Sequence, residues 1–238
     1  MHLRSITFNS KEFPANDVYP FSLEIIYKTP GIRFHNPATF FVGENGSGKS
    51  TVLRAIARKC SIHLWKDEER RTIHNNKYAE LLYRYISAEW EEEKVPGSFF
   101  SSEYFRYFAE YLDEWAAADP GMLNYFGGAS LIEKSHGQGY MAYFKSRYAV
   151  RGLYLLDEPE NALSPTRQLE LLHIINDAVK TGSAQFIIAT HSPILLALPG
   201  AEIYSFDHIP VKNVHYRDTE HYKVYRRFIN DPDGILSD

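Results

Sequence analysis

A single cysteine, Cys60, stands among 238 residues. The chain therefore has no internal disulfide and no disulfide framework to hold it. No apolar run is long enough to cross a bilayer, and residues 1–20 lack the apolar stretch of a secretory leader. Basic residues show no excess: 26 Lys and Arg against 30 Asp and Glu give a formal charge of −4 and a pI near 6.2. That balance does not point to nucleic acid, although it leaves room for a local basic face. Internal repeats and low-complexity tracts are missing too. These absences lead to the expectation of a soluble, cytoplasmic chain in a reducing compartment, with Cys60 packed on a helix. What is present is ordinary core material, 44% hydrophobic with 17 Tyr and 15 Phe, enough for one large or two small domains.

The most informative segment is Gly43-Glu44-Asn45-Gly46-Ser47-Gly48-Lys49-Ser50, which fits G-x-x-x-x-G-K-[ST] without a mismatch. The apolar run Thr39-Phe40-Phe41-Val42 leads into it. A helical pattern leaves it, with Val52, Leu53, Ile56 and Cys60 on one side. Glycines let the backbone wrap a phosphate so that successive N–H groups point inward. The helix N-terminus adds unpaired donors and the positive end of its dipole. Lys49 is expected on the β- and γ-phosphates, and the Ser50 hydroxyl on Mg²⁺.

The rest of the chain supplies a frame for this loop. Phe21–Lys28 alternates apolar and polar residues and predicts a strand. Helices are expected over 49–61, 75–93 and 102–118, the last with a core stripe of Phe105, Phe108, Leu112 and Trp115. The acidic run Glu89–Glu93 reads as a solvated helix end. Leu153–Leu156 and Phe186–Ala189 are short apolar runs suited to strands covered on both faces. The helix between them is capped by Ser164, opened by Pro165 and closed by Gly182. Its expected buried side is Leu169, Leu172, Ile175 and Val179. Polar residues at the C-terminal ends of such strands mark a ligand-binding α/β sheet. Asp157 is thus the expected Mg²⁺ partner, and Glu158 a group to orient attacking water. His191 follows the second run, where a neutral imidazole can hydrogen-bond a γ-phosphate or the lytic water. The structure of the tail from about Lys212 is not legible.

Three segments in order, GENGSGKST (43–51), LYLLDEPENAL (153–163) and ATHS (189–192), resemble motifs of ABC-type ATPases. They match the Walker A, Walker B with D-loop, and switch-histidine segments, most like stand-alone AAA-family members related to SMC and RecF-like repair proteins. The resemblance implies one P-loop domain over 1–238. It would have a mainly parallel sheet, N-terminal antiparallel strands and a helical subdomain inserted at 62–133. It implies ATP and Mg²⁺ as ligands, with Gly43 to Thr51 on the phosphates. It also implies an ATP-dependent homodimer in which a signature segment binds the γ-phosphate held by the other copy. Lys134-Ser135-His136-Gly137-Gln138 is the match, through Ser135, Gly137 and Gln138; Lys134 and His136 depart. Ser164 stands where the family's D-loop usually ends in Asp. No Gln lies between Thr51 and Gly137 to serve as the family's metal-contacting glutamine; Glu103 is either its substitute or a plain helix-surface residue. Tyr19 and Phe13 are both candidates to stack on adenine. The action of such an ATPase on an unknown partner protein is the main expectation. A regulatory switch with little turnover, a transporter subunit and a role on DNA are the alternatives. The interval between the first motif and the signature holds no long coiled coil.

Overall fold

The structure, a computed structural model, describes residues 1–65 and 76–234. Along the chain come β1 (Leu3–Phe8), α1 (Glu24–Lys28), β2 (Gly31–Arg33), β3 (Ala38–Val42) and α2 (Lys49–Lys59). Then follow β4 (Ile86–Trp90), β5 (Gly97–Ser101), α3 (Ser102–Ala118), α4 (His136–Arg147), β6 (Gly152–Asp157) and α5 (Pro165–Lys180). The chain closes with β7 (Ala184–Ala189), β8 (Glu202–Ser205), β9 (Lys212–Asn213) and α6 (Glu220–Asn230).

The apolar runs behave as their composition dictates. β3, β6 and β7 are buried at every residue and lie inside a six-stranded sheet of order β5-β6-β7-β3-β8-β9. All its pairings are parallel except β8 with β9. Alternate side chains enter two different cores, as the two-residue period of a strand requires. Phe40, Tyr154, Leu156, Phe186 and Ile188 face α3, α4 and α5. Phe41, Leu153, Leu155 and Ile187 face α2. On the far side of α2 lies a small antiparallel sheet, β2-β1-β4, which contributes Leu3, Ile6, Ile32 and Ile86 to the same core. Cys60 is buried at the end of α2, where burial pushes its thiol up to about 12. Ser164 caps α5, with Pro165 in its first turn.

Several local expectations fail for tertiary reasons. The predicted strand over 21–28 is instead α1, with neighbours Ile25 and Ile26 both buried. Two adjacent buried residues break the in-out alternation that the predicted half-buried strand requires. Residue 75 of the predicted helix 75–93 lies outside the described residues. Within the rest, 82–85 form a 3-10 turn and 86–90 form β4, paired antiparallel with β1. Cross-strand pairing has overridden the helical periodicity. The acidic run consequently starts on a strand, not a helix end, and Arg4 of β1 engages Glu89 and Glu91 at 3.4 and 2.9 Å. The 62–133 interval, expected to be helical, holds both β4 and β5, so its long helix begins only at Ser102. Leu169 on α5 and Trp115 on α3 are 48% and 43% exposed, while Leu171 takes the core position on α5.

The two sheets are clamped by one side chain. Gln185 on β7 is fully buried. Its Oε1 accepts from the N–H groups of His2 and Leu3 at 2.8 and 2.7 Å, and its Nε2 donates to the Leu3 carbonyl at 2.9 Å. A buried backbone group left without a partner costs about 1–3 kcal/mol. Gln185→Leu orphans all three groups and should lower the unfolding free energy by several kcal/mol in urea titrations. An unchanged midpoint would show that the clamp contributes nothing.

Candidate functional site

The loop after β3 is shaped by glycine. Gly43 and Gly48 have φ of +143° and +102°, in the region that side chains disfavour. A Cβ on Gly48 would also stand 3.2 Å from Ile25 of α1, so the unexpected helix packs directly against the loop. Gly48 is the N-cap of α2 and supplies no side-chain cap. The first-turn N–H groups of α2 are thus open to an anion. Beside them the Ser47 hydroxyl is buried without a partner. Both features fit a phosphate cradle.

Lys49 is 3% exposed. Its Nζ donates to the carbonyls of Gly43 and Glu44 at 2.6 and 2.9 Å. Burial lowers its pKa, against the pull of Glu158, Asp207, Asp157 and Glu44. One residue on, Ser50 Oγ donates to Asp157 Oδ1 at 2.7 Å. Burial raises the Asp157 pKa, opposed by this hydrogen bond and by Arg54. A hydroxyl and a carboxylate are hard oxygen ligands of the kind Mg²⁺ takes together with substrate phosphates. Among the described residues no cluster of three His, Cys, Asp or Glu could hold a metal alone.

Parallel pairing brings the other candidates to the same edge. Asp157 ends β6 opposite Ala189 of β7, and β7 lies beside β3. Glu158 has a left-handed backbone (φ 49°, ψ 56°), an unfavourable state for a non-glycine residue that clusters at functional sites. Its N–H donates to the Ala189 carbonyl, and Asn161 Nδ2 donates to its Oε2 at 2.8 Å. His191 Nε2 lies 3.6 Å from Glu158 Oε1 and is buried without a hydrogen-bond partner. The His191 N–H donates to Glu160 Oε1 at 2.6 Å. Burial, then Lys49 and His221, lower the His191 pKa.

The loop residues 43–51, Asp157, Glu158 and His191 are therefore brought together. The signature candidates are not. Ser135 and Gln138 close a capping box on each other at the start of α4, and Gly137 faces the Ala162 carbonyl. Tyr19 hydrogen-bonds Thr51 at 2.8 Å and is 39% exposed, whereas Phe13 packs on Phe21 and Tyr85. Glu103 stands exposed on the first turn of α3, directly after the strand that pairs with β6. Two residues of the site had no forecast. Asp207, just past β8, accepts from the Glu44 N–H at 2.8 Å; an acid after the strand run Ile203–Ser205 was the available signal. His221 on α6 meets His191, and nothing in its sequence surroundings singles it out.

A family model described as "AAA domain, putative AbiEii toxin, Type IV TA system" matches residues 121–197. That stretch contains the α4 segment, Asp157, Glu158 and His191. Among solved structures, cbiO1 of Clostridium perfringens, part of the ABC transporter complex cbiONQ, is 14% identical, with 99% of each chain covered and a TM-score of 0.54. A putative metal-chelate type ABC transporter in an inward-facing conformation is 16% identical, covering 94% of this chain and 88% of that one, with a TM-score of 0.53. No curated protein matches the chain. The fold is that of ABC-type P-loop ATPases. Among the described residues no helix is long and apolar enough to cross a membrane.

Glu160 allows a test of the electrostatics. Its Oε2 is buried without a partner, and burial raises its pKa above the ordinary 4.5. The folded state then keeps a proton that the unfolded chain has already lost, so folding is penalised as pH rises through the folded value. Above that value the penalty is complete. Glu160→Gln keeps an acceptor for the His191 N–H and removes the charge. The variant should be more stable than the parent at neutral pH, with the gap closing under acid. Equal stability across a pH series of thermal melts would show that the carboxylate is not strained.

Proposed function

We propose that this chain binds ATP with Mg²⁺ and hydrolyses it, that two copies close around two nucleotides, and that closure acts on a partner protein. The observation that carries this reading is the Ser50–Asp157 hydrogen bond beside a buried Lys49, with Glu158 and His191 at the ends of neighbouring parallel strands. Phosphoryl transfer asks for positioning and charge neutralisation more than for covalent chemistry, and this cluster is built for both.

Residues Gly43 to Thr51 take the phosphates through their N–H groups. The Lys49 ammonium exchanges its two carbonyl partners for β- and γ-phosphate oxygens. Ser50 and Asp157 would hold Mg²⁺, which when bound neutralises charge on those oxygens. Glu158 orients the attacking water and draws off its proton. His191 supports the γ-phosphate or the water from the other side. Tyr19, exposed and joined to Thr51, is better placed than Phe13 to meet the base. Ser135, Gly137 and Gln138, at the first turn of α4, serve the nucleotide of the second copy. The balance of charge gives no support to direct binding of nucleic acid, and the site is read as that of a cytoplasmic enzyme.

Glu158→Gln tests the reading. ATP binding should persist while turnover falls roughly 10²–10⁴-fold, the usual worth of a general base. The solution mass of this variant should shift from monomer to dimer on adding Mg-ATP. Undiminished turnover would remove Glu158 from the role. A mass that stays monomeric would overturn the paired site.

A further inference from the structure

His191 does not stand alone. Its Nδ1 lies 2.9 Å from His221 Nε2, with the ring centroids 5.0 Å apart and the planes inclined at 56°. Two neutral imidazoles joined nitrogen to nitrogen share one proton, so one ring donates and the other accepts. The choice sets the far side of His191. If its Nδ1 accepts, its Nε2 carries hydrogen and becomes a donor. That Nε2 is buried, unpartnered and 3.6 Å from the Glu158 carboxylate. A carboxylate in that place favours N–H over a bare lone pair.

The segment bearing His221 is fastened at this spot. Tyr216 donates its hydroxyl to the carbonyl of Pro193, two residues past His191. Thr219 is buried, donates to the Tyr216 carbonyl at 2.8 Å, and caps α6 by accepting from the Tyr222 N–H. Beyond this first turn α6 has no buried residue, and Val224, Tyr225, Phe228 and Ile229 are all more than half exposed. The helix is thus not docked by its apolar face. His221 in its first turn hydrogen-bonds the His191 loop.

We propose that His221 is a positioning residue: its Nε2–H donates to His191 Nδ1, fixing ring orientation and tautomer so that His191 presents a neutral Nε2–H donor to the γ-phosphate site beside Glu158. This rests on the reading of the site as an ATPase centre. Burial lowers the pKa of both rings, which keeps the pair neutral and the shared proton single. Lys49 pushes both in the same direction, while Asp207 and Glu44 oppose it at His221 and Glu158 and Glu44 at His191.

The test uses the full chain and two readouts. Ring ¹⁵N spectra of the nucleotide-free protein, with His191 assigned by comparison with His191→Gln, report the tautomer directly. Steady-state ATP hydrolysis reports kcat and KM. The parent should show His191 in the Nε2–H form. His221→Ala should mix or reverse that form and lower kcat roughly 10–100-fold, the scale for losing a partner that orients a functional histidine, with KM little changed. His221→Gln, whose amide can donate from a similar position, should restore both the tautomer and most of kcat. An Nδ1–H form in the parent, a spectrum unchanged in His221→Ala, or a hydrolysing parent matched by His221→Ala would overturn the proposal. The expected tautomer in a parent that does not hydrolyse ATP would uphold the positioning and overturn the ATPase reading.

Discussion

Burying an ammonium group is expensive unless its charge is met, and Lys49 is almost wholly buried. The protein answers this with geometry at the C-terminal ends of its strands. Two loop carbonyls take the Lys49 protons directly. Four carboxylates act on it: Glu44 in the loop, Asp157 at the end of β6, Glu158 just after it, and Asp207 after β8. These groups meet only because β6, β7, β3 and β8 are parallel neighbours. The same arrangement keeps a cation where polyphosphate charge would arrive, and it surrounds that place with acids suited to metal and water.

The layers behind the edge make this arrangement stiff. α2 begins in the loop and is buried between the two sheets, so the loop cannot shift without disturbing both. α1 backs Gly48 through Ile25. Gln185 joins the end of the small sheet to the start of β7, whose other end carries His191. At the site itself, strain falls on Glu158, which holds a left-handed backbone between an Ala189 carbonyl and Asn161. A rigid frame with one strained acid at its rim is a usual way to hold a reactive geometry.

The remaining side of the site is lighter. His191 is reached from the C-terminal segment, and that segment ends in a helix with its apolar residues in solvent. α4 lies on the opposite core, its first turn closed on itself.

Much of the centre was legible from residues alone. Gly43 to Ser50 announced a phosphate loop because few backbones need three glycines and a lysine at that spacing. Asp157, Glu158 and His191 followed from apolar runs that end in polar residues, since a strand buried on both faces meets solvent at its ends. The same logic applied to Ile203–Ser205 leads to Asp207. Local pattern failed where pairing decided the outcome: 86–90 became a strand because β1 offered an edge, and 24–28 became a helix because it backs a glycine loop. His221 lay beyond any pattern, since a ring contact between residues 191 and 221 exists only once the chain has turned back on itself. Sequence alone determined which residues fill the loop and the strand ends, because spacing and apolar runs are local properties. Tertiary structure alone decided which helix supports the loop, which strand joins β1 and which second histidine reaches the first, because each depends on contacts between distant parts of the chain.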